Sequence, residues 1–307
     1  MGLSAGRRIL LAAADSPRIG RFVQRYGFRL GASRFVAGES LDAAVPVLRG
    51  LNDKGLLTNT TLLGEGVTTE AETAAVVSAY RELLDRIAAE NLRTNVALKL
   101  THLGLAFDEE LAHRNLVALV EHAARHGNFV RIDMEESARV DATLGIYRRL
   151  REAGHDNVGA VLQSYLYRSE ADFAALLPLA PNLRLVKGAY LEPAEVAYPE
   201  KSDVDAAYVR LLEAALTGAR FTAIATHDEK LIEHAIAFAK EREIAPEQFQ
   251  FQMLYGVRPS LQLDLVRRGY GVLVAAPYGP DWYRYLMRRL AERPANVLFL
   301  LRNLIRG

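Results

Sequence analysis

Eight apolar runs rich in valine, leucine and isoleucine recur along this 307-residue chain, each followed by a stretch long enough for a helix. They occupy residues 56–63, 96–100, 129–132, 158–162, 183–186, 221–225, 249–251 and 272–275. The polar residues that close them are Glu65, Lys99 with Thr101, Asp133, Gln163, Lys187, Thr226 with His227, Gln252 and Tyr278. A strand buried on both faces reads as a continuous apolar run, and alternation with helices implies parallel strands joined by crossovers. Eight such units fit a closed (β/α)8 barrel, an α/β fold whose active site gathers at the carboxyl ends of the strands. The polar residues therefore converge on one mouth. That predicts an enzyme.

Residues 1–55 read as a helical arm, with a break at Gly38 and Ser40 and an N-cap at Ser40; residues 56–307 read as a single barrel domain. Helical spacing is expected at 70–89, 109–126, 137–153, 169–177, 203–218 and 229–242, and in a last helix at 281–293. The apolar stretch after Arg7-Arg8 is cut short by Asp15 and Pro17, so it reads as an amphipathic helix, not an export signal. No segment is long enough to span a bilayer, and a cytoplasmic location is expected. The net charge of +1 gives no electrostatic footprint for nucleic acid. The absence of cysteine excludes disulfides, thiolate metal ligands and a cysteine nucleophile.

The sharpest local signal lies in the last helix. Tyr285, Arg288, Arg289 and Glu292 are spaced i, i+3, i+4, i+7 and share one face, an arc that a surface helix ordinarily gives to apolar contacts. Two adjacent arginines over the mouth can clamp a carboxylate, with Glu292 holding one in place. The fifth run continues as Arg184-Leu185-Val186-Lys187-Gly188-Ala189-Tyr190, where small residues after the cations let a backbone approach an anionic ligand. Two chemistries compete there. Lys187 could be the Schiff-base lysine of an aldolase-type barrel, or Arg184 and Lys187 could grip a large anionic cofactor.

Asp133 is expected to pair with a cation in the mouth, whereas Glu135 and Glu136 read as the acidic first turn of the next helix. No metal is expected. Lys99 stands beside that acidic cluster, and His122 and His126, although spaced i, i+4, show no third ligand. His227 is the histidine placed for function. Gly64 and Gly66 lack the third glycine of a dinucleotide fingerprint.

These residues together resemble the proline dehydrogenase family from Leu62 onward. The motifs are Leu63-Gly64-Glu65, Leu98-Lys99-Leu100, Arg131-Ile132-Asp133-Met134-Glu135, Gln163-Ser164-Tyr165, Arg184 through Tyr190, Ala225-Thr226-His227, Phe251 through Gly256, Pro277-Tyr278-Gly279 and Tyr285 through Glu292. The resemblance implies a distorted (β/α)8 barrel whose last helix lies over the active site. It also implies FAD-dependent oxidation of L-proline to 1-pyrroline-5-carboxylate, with electrons passed to a membrane quinone and the protein resting on the inner face of the membrane.

By the same resemblance, Lys99, Arg288 and Arg289 bind the proline carboxylate, and Asp133 and Arg184 are catalytic positions beside the flavin. Met134, Gln163, Lys187, Gly188, Ala189, Thr226 and His227 contact FAD, Tyr278 and Tyr285 wall the substrate pocket, and Glu65 pairs with Arg288 as a gate. Where the family usually reads Asp-x-Leu-Gly-Glu, Thr61 stands in place of the aspartate. Some relatives are fused to an aldehyde dehydrogenase. With no cysteine and no dinucleotide fingerprint, this chain is expected to leave the second oxidation to a separate 1-pyrroline-5-carboxylate dehydrogenase. A barrel that binds proline and FAD without turnover is the non-enzymatic alternative.

Overall fold

The computed structural model describes Phe28, residues 32–64 and residues 66–292, with side chains described as far as Met287. Eight parallel strands close into a barrel in chain order, β1 pairing with both β2 and β8. They are β1 (Leu57–Thr60), β2 (Thr94–Lys99), β3 (Val130–Asp133), β4 (Val158–Gln163), β5 (Asn182–Val186), β6 (Phe221–Ala225), β7 (Phe249–Leu254) and β8 (Val272–Ala275). Each expected run carries a strand. β1 is shorter than its run because the ladder stops at Thr60, and Leu62 pairs only with Tyr278 in an isolated bridge. β7 is longer and takes in Gln252, which was expected to follow it.

The helices are α1 (Leu41–Asn52), α2 (Glu70–Ala89), α3 (Glu109–Arg125), α4 (Val140–Glu152), α5 (Ser169–Leu176), α6 (Lys201–Gly218), α7 (Glu229–Glu241), α8 (Pro259–Arg267) and α9 (Trp282–Glu292). Their starts follow local chemistry. The hydroxyl of Thr69 accepts from the backbone N–H of Glu72, whose carboxylate accepts from the N–H of Thr69, a reciprocal capping box on α2. Asp108 caps α3 by accepting from the N–H of Leu111 at 2.9 Å. α8 is the helix expected after the seventh run. It turns helical behind Arg258, whose φ of 53° breaks the chain direction after β7.

Two helices set the shape of the mouth. Ser40 caps α1 as expected, accepting from the N–H of Ala43 at 3.3 Å. The helix starts at the mouth, where Gly38 bridges to Tyr278, and ends at the foot, where the carbonyl oxygen of the Asn52 side chain accepts from the N–H of Arg93. α1 thus lies along the barrel flank beside β1 and β8. α9, which follows β8, does not take that flank. Its Trp282, Tyr283, Leu286 and Met287 pack with Phe35, Val36 and Val257 in a second apolar cluster above the strand ends. The indole N–H of Trp282 also donates to Glu39 at 2.8 Å. This displacement is the barrel's distortion, and it brings one face of α9 over the site.

Candidate active site

Two arginines are buried among the barrel strands, Arg131 on β3 and Arg184 on β5, and the site is organised around the second. Arg184 on β5 donates from Nε to the side-chain oxygen of Gln252 on β7 at 2.6 Å and from Nη1 to Asp133 on β3 at 2.7 Å. Its Nη2 reaches Asn59 on β1 at 3.5 Å, and Asn59 donates in turn to Asn95 on β2 at 2.5 Å. Side chains from all four odd-numbered strands thus meet at one level, the layered filling that a closed eight-stranded barrel permits. Burial pushes the Arg184 guanidinium below its usual value, and the Asp133 carboxylate opposes that shift. Arginine stays charged at neutral pH regardless. The expected pairing of Asp133 with a cation is present. Its partner is Arg184.

Above this layer, at the mouth, lies a cavity lined by Thr61, Leu63, Gly64, Lys99, His102 and Tyr285, among others. Lys99 ends β2, level with Asp133 on the neighbouring strand. Tyr285 reaches the cavity from α9, and Asp281, which directly precedes that helix at the position expected for its cap, also lines the cavity. A Cβ on Gly64 would stand 2.8 Å from the imidazole Nε2 of His102, so the loop after β1 packs directly on that ring. Tyr278 does not line this cavity. Its ring is buried in the main core, and its backbone accepts from the N–H of Leu63 at 2.7 Å and donates to the carbonyl of Thr61 at 3.0 Å. It thereby fixes the loop that forms the cavity wall.

Arg288 and Arg289 belong to α9, one turn beyond Tyr285, and their side chains lie outside the described residues, as does Glu65. The expected gate of Glu65 with Arg288 therefore falls outside what the structure describes.

On the side of β4 to β6, Gln163 donates to the backbone carbonyl of Glu135 at 2.9 Å, and Met134 is buried beside it. The hydroxyl of Thr226 accepts from the N–H of Asp228 at 3.1 Å. His227 accepts at Nε2 from the N–H of Leu254 at 2.9 Å, which assigns its ring proton to Nδ1. Gly188 has a φ of +114°, and a Cβ there would run into the ring of Tyr165; only glycine fits both constraints. Ala189 follows it, exposed. Lys187 is held by Asp205 at 2.5 Å and Asp228 at 3.5 Å. An ammonium between two carboxylates is poorly placed for the Schiff-base chemistry of an aldolase, which needs a neutral, desolvated amine.

Two expectations require correction. Glu135 is not an exposed acid of a helix start: it is 5% exposed and accepts from the N–H of Thr101 at 3.1 Å and from its hydroxyl at 2.7 Å. Burial raises its pKa, and the two Thr101 bonds only partly oppose that rise. Nor do His122 and His126 lack a third polar partner, because both rings point at Asp85 on α2. Asn59 and Gln252 were also missed as site residues. Gln252 was visible at a strand end, but nothing in the sequence tied it to Arg184.

The fold and site define an enzyme of the barrel class with a small mouth-side cavity beside a buried arginine–aspartate pair. The proline dehydrogenase family matches residues 44–302, and the chain belongs to that family. It is 40% identical over 300 residues to proline dehydrogenase 1 of Bacillus subtilis, covering 98% of this chain and 99% of that one. It is 41% identical over 305 residues to the proline dehydrogenase of Deinococcus radiodurans, covering 98% of each. Similarity to the bifunctional protein PutA of Escherichia coli is 28% over 345 residues, 98% of this chain but 26% of that protein. A solved structure of proline utilization A from Bdellovibrio bacteriovorus, inactivated by N-propargylglycine, superposes with a TM-score of 0.81 at 25% identity, over 90% of this chain and 34% of that one. The chain is an oxidoreductase that oxidises proline.

Proposed function

We propose that the chain oxidises L-proline to 1-pyrroline-5-carboxylate with FAD as its resident cofactor and a membrane quinone as the electron acceptor. The observation that carries this reading is the placement of Lys99 and Asp133 at neighbouring strand ends under α9, with Asp133 holding Arg184 of β5. The residues at the ends of β4 to β6 suit a flavin. Arg184, Gln163 and Thr226 offer a cation, an amide and a hydroxyl, and Gly188 keeps the end of β5 clear of a side chain. Gln163, Thr226, His227, Gly188, Ala189 and Met134 would hold the cofactor. Lys187 would join them by leaving Asp228, the longer of its two contacts. Bound FAD would supply the hydride acceptor.

The chain's own residues do the rest. Lys99, with Arg288 and Arg289, holds the proline carboxylate and orients the ring, and Tyr285 closes the cavity against water. Several cations around one carboxylate also favour loss of the substrate's amine proton. Asp133 keeps Arg184 in place, and Arg184 supplies fixed positive charge where electron density accumulates. Tyr278 acts from behind the wall, by fixing the loop from Thr61 to Leu63. Glu65 would tie Arg288 down when the cavity closes. The second oxidation falls to a separate dehydrogenase.

No helix among the described residues is long and apolar enough to cross a membrane. Contact with a membrane quinone would therefore be peripheral, at the cytoplasmic face. Three large apolar side chains, Phe107, Tyr167 and Leu191, are exposed on mouth-side loops and support that placement.

The test is an anaerobic titration of the purified yellow protein with L-proline, followed by flavin absorbance. The expected result is stoichiometric bleaching. Proline binding without bleaching would identify a sensor and sink the proposal, as would a colourless protein. Gly188→Ala is expected to lose most of its flavin while keeping its far-ultraviolet circular dichroism, because the substitution strains the backbone at the cofactor face. A normal flavin-to-protein ratio in that variant would remove the end of β5 from the cofactor site.

A further inference from the structure

α2 and α3 run side by side on the outside of the barrel, and both end at its foot, opposite the mouth. There the two helices bring Asp85, His122 and His126 together. The Nε2 atoms of both imidazoles point at one oxygen of Asp85, at 2.6 Å for His122 and 2.8 Å for His126. The rings lie 5.3 Å apart at 65° to each other, so they converge on a point and do not stack. The candidate ligand atoms all lie within 4.8 Å of one another. The histidine side chains are 17% and 29% exposed and Asp85 is 55% exposed, which leaves the outer side of the cluster open to water.

We infer that Asp85, His122 and His126 form a surface site for a borderline divalent transition metal, with zinc(II) the first candidate. Two imidazoles and one carboxylate suit zinc, cobalt(II), nickel(II) or copper(II) better than magnesium or calcium, which take oxygen ligands. The spacing of His122 and His126 places both rings on one helical face, a common arrangement for two nitrogens on one ion.

A tetrahedral ion with bonds of about 2.0–2.1 Å separates its ligand atoms by about 3.3 Å. Both imidazoles now approach the Asp85 oxygen more closely than that, at 2.6 and 2.8 Å, so the side chains would open slightly to admit the ion, with water in the fourth position. His122 lies in the last turn of α3 and His126 is its C-cap, where the helix dipole favours positive charge. The site is remote from the proline cavity. Its effect would be to clamp the ends of α2 and α3 together, stabilising the folded state by mass action.

The test uses the flavin-loaded protein without an affinity tag, titrated calorimetrically with zinc chloride and, separately, with cobalt(II) chloride followed by visible absorbance. One saturable zinc equivalent is expected, together with cobalt ligand-field bands and a rise in thermal midpoint on adding zinc. Loss of an outer-shell partner costs about 10- to 100-fold in metal affinity, so loss of a ligand should cost at least that. His126→Gln and Asp85→Asn should each therefore weaken binding at least tenfold and abolish the thermal shift. Proline oxidation without added metal should stay unchanged in both. No saturable binding to the parent protein would overturn the site. So would equal affinity in the parent and the two variants, which would place the metal elsewhere.

Discussion

Arg184→Met is expected to be strongly destabilising, lowering the unfolding free energy by about 3–5 kcal/mol. The cost comes from what is left behind more than from what is lost. Asp133 would keep its charge without its 2.7 Å partner, and Gln252, 5% exposed, would keep an acceptor with no donor. A buried pair replaced together is cheap, whereas one partner removed alone is not. The double variant Arg184→Met with Asp133→Asn should therefore lose clearly less stability than the sum of the single losses. Urea unfolding of the flavin-free proteins measures this without contribution from cofactor binding. A single-variant loss under about 0.5 kcal/mol, the range of an ordinary surface substitution, would show that Arg184 does not organise the interior.

The parts of this arrangement that were legible in the sequence are those whose signal is local. A parallel strand buried on both faces is apolar throughout, so eight such runs announced the barrel, and the polar residue closing each run marked the mouth. Arg184 and Lys99 were readable as cations at or near strand ends. What escaped was set by partners distant in the chain. Gln252 interrupts an apolar run and shortened the expected seventh strand, yet it is tolerated inside because Arg184, 68 positions earlier, satisfies it. Asp85 precedes His122 by 37 positions on a different helix, so spacing alone could not bring them together. Glu135 stands where helix starts favour acids, but Thr101, in the short 3-10 turn after β2, captures it in the interior.

Lys99→Met should raise the Michaelis constant for proline and lower kcat/KM by roughly 10- to 150-fold, the equivalent of a charged hydrogen bond worth about 1.5–3 kcal/mol. Lys99 ends β2 on the cavity wall, level with Asp133 and facing the helix that carries Arg288 and Arg289. Methionine keeps the length of the chain and much of its apolar contact, so the barrel should remain intact and its flavin content normal. A general loss of folding would lower flavin content and efficiency together, which separates the two causes.

The substrate can also be varied in place of the enzyme. L-prolinamide has the ring and the amine but no carboxylate, so the parent enzyme should strongly prefer proline. Lys99→Met should narrow that preference, because the contact that told the two apart is gone. Arg289→Met should narrow it in the same direction, since both cations would act on the same group. If Lys99→Met keeps the parent's Michaelis constant and its ratio of proline to prolinamide efficiency, Lys99 does not hold the carboxylate, and the substrate must lie elsewhere in the mouth.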